Sequence, residues 1–146
     1  MNWGFLGAGL VMGIAAMGSA IGIGIAGQGA IGAWKRCYLN NKPAPFLLVV
    51  FAGAPLTQTI YGFLLMQSMI GNVANADAVK QLFFLGLGLA CGLSMCMSAI
   101  AQGKAGAAGS DALAETGKGF TNYIMVVGLC ETIALFSMVF GMIATV

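Results

Sequence analysis

The chain has 146 residues, of which 60% are hydrophobic and only 7% are charged, with a formal net charge of +2. A water-soluble domain of this size needs a charged surface, which so few charges cannot supply, and so the composition predicts an all-α integral membrane protein. The sequence contains no histidine, which excludes a histidine proton relay and a histidine metal site. Because the charges are few and lie in predicted loops, the net charge says little about partners. We expect no nucleic acid partner and no resident cofactor.

Four long segments are uncharged or nearly so: Trp3 to Trp34, Phe46 to Ile70, Gln81 to Gly103 and Gly119 to Val146. Each exceeds the roughly 20 residues that a helix needs to cross about 30 Å of hydrocarbon. Backbone groups that face lipid must be hydrogen-bonded internally, and so these segments predict four transmembrane helices with short connections. The first is long enough to protrude from the bilayer.

The basic residues predict the orientation in the membrane. Five of the six lie in or beside the first and third connections: Lys35, Arg36, Lys42, Lys104 and Lys118. Cytoplasmic loops carry an excess of Lys and Arg. We therefore expect these two connections in the cytoplasm and both termini on the other side of the membrane, which we take to be a bacterial cell membrane.

The first and third segments are rich in glycine, which costs up to about 1 kcal/mol per position in a helix relative to alanine. Close approach between helices offsets that cost. The pattern predicts a tightly packed inner layer beside identical neighbours, with bulkier second and fourth helices facing lipid. The motif GIGIAG (Gly22 to Gly27) matches a dinucleotide fingerprint, but no strand precedes it, and we attribute its glycines to packing.

An internal repeat divides the chain into two tandem helical hairpins, residues 1–72 and 73–146. Two pairs of segments are similar: IAGQGAIGA with AIAQGKAGAAG, and LTQTIYGF with LCETIALF. The first pair matches Gln28 with Gln102, and the second pair matches Gln58 with Glu131. The acidic residue is therefore predicted in the second hairpin alone.

Glu131 lies in the middle of the fourth apolar segment. A charged side chain at the bilayer centre costs about 2.5–3.5 kcal/mol on insertion scales. No Lys or Arg lies inside any predicted span, and so the charge must be neutralised by a proton, by a metal ion or by a residue of another protein.

The second span offers oxygen ligands on one face. Ala54, Thr57, Gln58 and Tyr61 are spaced i, i+3, i+4 and i+7, which places them on the same side of a helix. Pro55 lacks an N–H group and distorts this turn, which frees backbone carbonyl oxygen.

If the third helix extends through GKAGAAG, the predicted depths bring Gln102 of that helix and Glu131 of the fourth span close to this face. One carboxylate, two amides, one hydroxyl and one carbonyl suit a dehydrated hard cation. A site for a bare proton would need only the acid and one acceptor.

The sequence resembles the proteolipid rotor subunit, K or c-type, of V-type ATPases over essentially its whole length. The resemblance depends on the duplicated hairpin, the glycine-rich first and third helices, and the segments APLTQTIYG, SAIAQGKAG and GLCETIALF. It implies a ring of identical subunits that rotates against a stator subunit supplying an arginine. A central-stalk subunit would contact the cytoplasmic loops, and ATP would be hydrolysed in a separate soluble head, so that the chain itself is not an enzyme.

In the sodium-pumping branch of that family, the resemblance also implies the ligands of the ion. They match, by position, the main-chain carbonyl of Ala54 and the side chains of Thr57, Gln58, Gln102 and Glu131. Tyr61 matches a tyrosine that hydrogen-bonds the glutamate.

Two other functions are consistent with a single membrane glutamate. One is the same type of rotor, with H⁺ in place of Na⁺. A more remote alternative is a small dimeric four-helix exporter that couples protons to lipophilic cations. An exporter would need aromatic residues beside Glu131, and its helix offers only Phe136 and Phe140.

Overall fold

The computed structural model describes residues 3–146, and these contain helices and no strand. The α-helices are α1 (Trp3–Leu39), α2 (Leu48–Gly53), α3 (Thr57–Val73), α4 (Ala78–Thr116) and α5 (Phe120–Thr145). A 3₁₀ turn, Ala54–Leu56, joins α2 to α3, so that residues 48–73 form one span. The four resulting spans are long and apolar enough to cross a membrane, which confirms the predicted all-α class and number of spans.

Helices α1 and α4 are longer than the apolar segments that predicted them. Helix α4 continues past Gly103 to Thr116 through residues that were expected to form a connection. The extension is helical because it has a buried face, with Leu113 and Ala114 packed in an apolar cluster against residues of α1. It ends where Gly117 adopts φ +67°, a left-handed conformation that glycine tolerates and that terminates helices.

Helices α1 and α4 run parallel and pack along each other, with α3 against α1 and α5 against α4. We call the end at which residues 40–47 and 117–119 connect helices the basic end, because Arg36, Lys42 and Lys118 lie there. The opposite end, where residues 74–77 connect α3 to α4, is the terminal end. The predicted boundary after residue 72 lies in the last turn of α3.

The contact between α1 and α4 requires glycine. A Cβ atom on Gly22 would overlap the carbonyl oxygen of Ala99, and a Cβ atom on Gly103 would overlap the carbonyl oxygen of Gly22. The two backbones therefore touch at this level, which is the close approach that the glycine-rich sequence predicted.

The buried interior has three layers. An apolar cluster near the terminal end includes Val11, Leu65 and Phe84, and a second one near the basic end includes Phe51 and Val127. Four buried polar side chains belong to neither cluster and lie between them: Ser19, Gln58, Ser98 and Gln102. Apolar packing on both sides holds this polar layer at a defined depth.

The structure corrects the predicted match of Gln28 with Gln102. Gly29, next to Gln28, packs against Ala107, more than a helical turn toward the basic end from Gln102, and the side chain of Gln28 is exposed. The segments at equal depth are SAIGIGIAG and SAIAQGKAG, which begin at Ser19 and Ser98 and share six of nine residues. In this register, Ile23 takes the position of Gln102.

Replacing Gly22 by alanine should destabilise the protein by about 1–3 kcal/mol, because the new methyl group meets backbone atoms that cannot move aside independently. The measurement is the thermal unfolding midpoint of the purified protein in detergent. Gly71→Ala is the control, since Gly71 has open space around it and alanine favours a helix. Equal midpoints for the two variants would contradict the close contact of α1 with α4.

Candidate ion-binding site

The second span changes its backbone conformation at Pro55. This residue occupies the start of the 3₁₀ turn, where its missing N–H is tolerated, and its ring is buried against α1 beside Gly22. Helix α3 then begins at Thr57, whose hydroxyl donates a hydrogen bond to the carbonyl oxygen of Ala54 at 3.1 Å. The turn thereby brings the predicted backbone carbonyl and the threonine hydroxyl together.

Gln58 and Gln102 form the centre of the site. Both side chains are 0% exposed, and Nε2 of Gln58 donates to Oε1 of Gln102 at 2.9 Å. The Thr57 hydroxyl lies 3.3 Å from Oε1 of Gln58. Nε2 of Gln102 donates to the carbonyl oxygen of Val127 at 3.2 Å, which anchors it to α5. The two amide groups thus link α3, α4 and α5.

Glu131 completes this network. The hydroxyl of Tyr61 donates to its Oε1 at 2.6 Å, and Nε2 of Gln102 donates to its Oε2 at 3.3 Å. Glu131 is only partly buried. Among residues 3–146 one salt bridge is formed, between Arg36 and Asp111 near the basic end. None of the basic side chains described therefore neutralises Glu131.

All of the residues that the sequence singled out lie in one connected region, but sequence reasoning missed Ser98. The hydroxyl of Ser98 donates to the carbonyl oxygen of Cys130 at 2.6 Å and accepts from Nε2 of Gln58 at 3.4 Å. A signal was present, because Ser98 precedes Gln102 by four residues and therefore shares its helix face.

The orientation of the amides determines what the site can bind. The Nε2 atoms of Gln58 and Gln102 donate to protein oxygen atoms, which leaves lone pairs on their Oε1 atoms. With the Thr57 hydroxyl, the Ala54 carbonyl and the Glu131 carboxylate, these are oxygen ligands of the kind that hard cations prefer. The carboxylate supplies the one negative charge that a monovalent cation would neutralise.

The chain is similar to known proteins over most of its length. The family model for the ATP synthase C subunit matches residues 85–144. The A-type ATP synthase subunit K of Methanocaldococcus jannaschii is 36% identical over 144 residues, which cover 98% of this chain and 61% of that relative. The V-type sodium ATPase subunit K of Enterococcus hirae is 32% identical over 125 residues, which cover 84% of this chain and 77% of that relative.

Replacing Gln102 by leucine should lower the free energy of unfolding by about 1–3 kcal/mol, because Gln58 Nε2 and the Val127 carbonyl each lose a buried partner. Thermal unfolding in detergent is again the measurement. Gln28→Leu is the matched control, since Gln28 is exposed and hydrogen-bonds no residue among those described. If both substitutions lowered the free energy of unfolding equally, the hydrogen bonds of the buried Gln102 amide would not contribute to stability, and the prediction would be contradicted.

Proposed function

Because this chain belongs to the family of rotary ATPase proteolipids that includes the C and K subunits of ATP synthases, we propose that it carries one Na⁺ per subunit in a membrane rotor ring. ATP hydrolysis in another part of the complex would turn the ring, which would carry each ion past a stator. In this proposal the chain itself is non-catalytic.

The observation that carries the proposal is the connected set of oxygen atoms around Glu131. The two fully buried glutamines direct their N–H groups to protein acceptors, and each amide oxygen keeps a lone pair for a cation, although Oε1 of Gln102 also accepts a hydrogen bond from Gln58. A proton on Glu131 would need none of these amides. The similarity to the K subunit of a sodium ATPase supports the same choice of ion.

The partial exposure of Glu131 fits a carrier whose charge is cancelled by its cargo. In lipid the carboxylate must be neutral, since a charge there costs about 2.5–3.5 kcal/mol on insertion scales. Bound Na⁺ supplies that neutrality while the site travels through the membrane. At the stator, an arginine of another subunit would supply it instead, and the ion would be released.

The first hairpin lacks the groups for a second ion site. Gln58 occupies the position that corresponds to Glu131, and Ile23 occupies the one that corresponds to Gln102. Gln58 serves the single site of the second hairpin instead. We therefore infer one ion per chain, and interpret residues 1–72 and 73–146 as duplicated hairpins of which one has kept the acid.

The basic end would face the cytoplasm, where its loops would contact a central-stalk subunit, and both termini would lie on the opposite side. Four of the six basic residues, Lys35, Arg36, Lys42 and Lys118, lie in or beside the loops of this end. Identical neighbours would pack laterally against this chain to form the ring, with lipid around it.

A hydrophobic carbodiimide should modify Glu131, and NaCl should slow the reaction at constant pH. The reagent attacks the protonated carboxyl group, and bound Na⁺ keeps that group deprotonated. The measurement is the fraction of Glu131 modified against NaCl concentration, determined by mass spectrometry of the intact protein.

KCl at equal ionic strength controls for screening, and Glu131→Gln identifies the site of modification. A labelling rate that does not respond to Na⁺ would overturn the sodium assignment and favour the same rotor coupled to H⁺.

Native mass spectrometry of the purified assembly should give the mass of a ring of many identical subunits. The 14.9 kDa chain makes each added copy easy to resolve. A dimer would contradict the rotor ring and favour the small proton-coupled exporter. The ring mass is expected with and without Na⁺, because the ion site is formed within one chain.

A further inference from the structure

Ser98 contacts the ion-binding network without presenting a ligand to it. Its side chain is 5% exposed and lies between Gln58 of α3 and the backbone of α5 at Cys130. A serine hydroxyl has one proton to donate. The short 2.6 Å hydrogen bond to the Cys130 carbonyl uses that proton, and so a lone pair of the hydroxyl faces Gln58.

The lone pair of Ser98 favours one orientation of the Gln58 amide, with Nε2 toward Ser98 and Gln102 and Oε1 toward Thr57. Nε2 of Gln58 has two hydrogens, and the structure gives it two acceptors, Gln102 Oε1 at 2.9 Å and Ser98 Oγ at 3.4 Å. Oε1 of Gln58 consequently lies on the side of Thr57. Were the amide reversed, its oxygen would face the lone pairs of Ser98 and Gln102, which is repulsive.

We propose that Ser98 is a positioning residue that sets the preference of the site for Na⁺ over H⁺, by holding the amide oxygen of Gln58 toward the cation. Without Ser98, only Oε1 of Gln102 would oppose reversal of the amide, and each reversed amide would present N–H donors to a cation, which repel it. The hydrogen bonds to Glu131 come from Tyr61 and Gln102 and none from Gln58, so the orientation of the Gln58 amide acts on the cation ligands. The inference rests on the proposed Na⁺ carrier function.

Ser98→Ala should raise the NaCl concentration that half-protects Glu131 from carbodiimide by about tenfold, which corresponds to about 1.4 kcal/mol of binding free energy. The pH dependence of labelling without Na⁺ should stay unchanged. Ser98→Thr, which keeps the hydroxyl, should restore protection to the level of the unmodified protein.

Ser94→Ala is the matched control. Ser94 lies one turn away on the same face of α4 and pairs with Ser137 of α5 at 2.6 Å, so that its removal also breaks a hydrogen bond between α4 and α5. It should leave Na⁺ protection unchanged. The thermal unfolding midpoints of both alanine variants show whether a loss of Na⁺ protection results from misfolding.

A double-variant cycle tests whether Ser98 acts through Gln58. In a Gln58→Met background, Ser98→Ala should cause no further loss of Na⁺ protection, because no amide remains to be oriented. The proposal would be overturned if the two substitutions reduced Na⁺ protection additively. It would also be overturned if Ser98→Ala and Ser94→Ala reduced Na⁺ protection equally, or if Ser98→Ala shifted the pH dependence of labelling as much as it shifted Na⁺ protection.

Failure of the underlying function gives a different result. If Na⁺ does not protect Glu131 in the unmodified protein, the Na⁺ carrier function is overturned, and the role of Ser98 in Na⁺ preference with it. If Na⁺ protects the unmodified protein and Ser98→Ala equally well, only the role of Ser98 is overturned.

Discussion

Two hydrogen bonds hold Glu131, the one carboxylate within the four apolar segments, between Tyr61 and Gln102. A carboxylate within an apolar span is costly unless its charge is cancelled and its oxygen atoms have partners. Here both oxygens accept hydrogen bonds, from α3 and from α4, while none of the basic side chains described lies close enough to cancel the charge. The same arrangement that stabilises the acid therefore makes it suited to carry an ion.

The packing of the helices follows from the need to bring these partners together. Gln58 and Gln102 meet only because α3, α4 and α5 converge at one level, and that level is set by apolar clusters on either side. Gly22 and Gly103 let α1 approach α4 until their backbones touch, beside the ring of Pro55. The glycines of α1 and α4 and the 3₁₀ turn in the second span therefore both help to place the polar side chains at one depth.

Some features could be predicted from the sequence and others could not. The i, i+3, i+4 spacing placed Thr57, Gln58 and Tyr61 on one face, and in the structure their side chains belong to one hydrogen-bond network. The predicted match of Gln28 with Gln102 was wrong because glycine-rich segments can be aligned with each other in several registers. The backbone contacts between α1 and α4 identify the correct register. Ser98 was missed because serine is common at helix contacts and has no charge that demands a partner.

Composition and segment length suffice to predict an all-helical membrane protein with four spans and one unneutralised acid, because they control transfer into lipid. The polar partners of that acid, the length of α4 and the direction of the Gln58 amide depend instead on contacts between helices. Periodicity along a helix fixes the face of a residue. The axial register between two helices is set instead by side-chain volumes and backbone contacts across the interface, which no single segment contains.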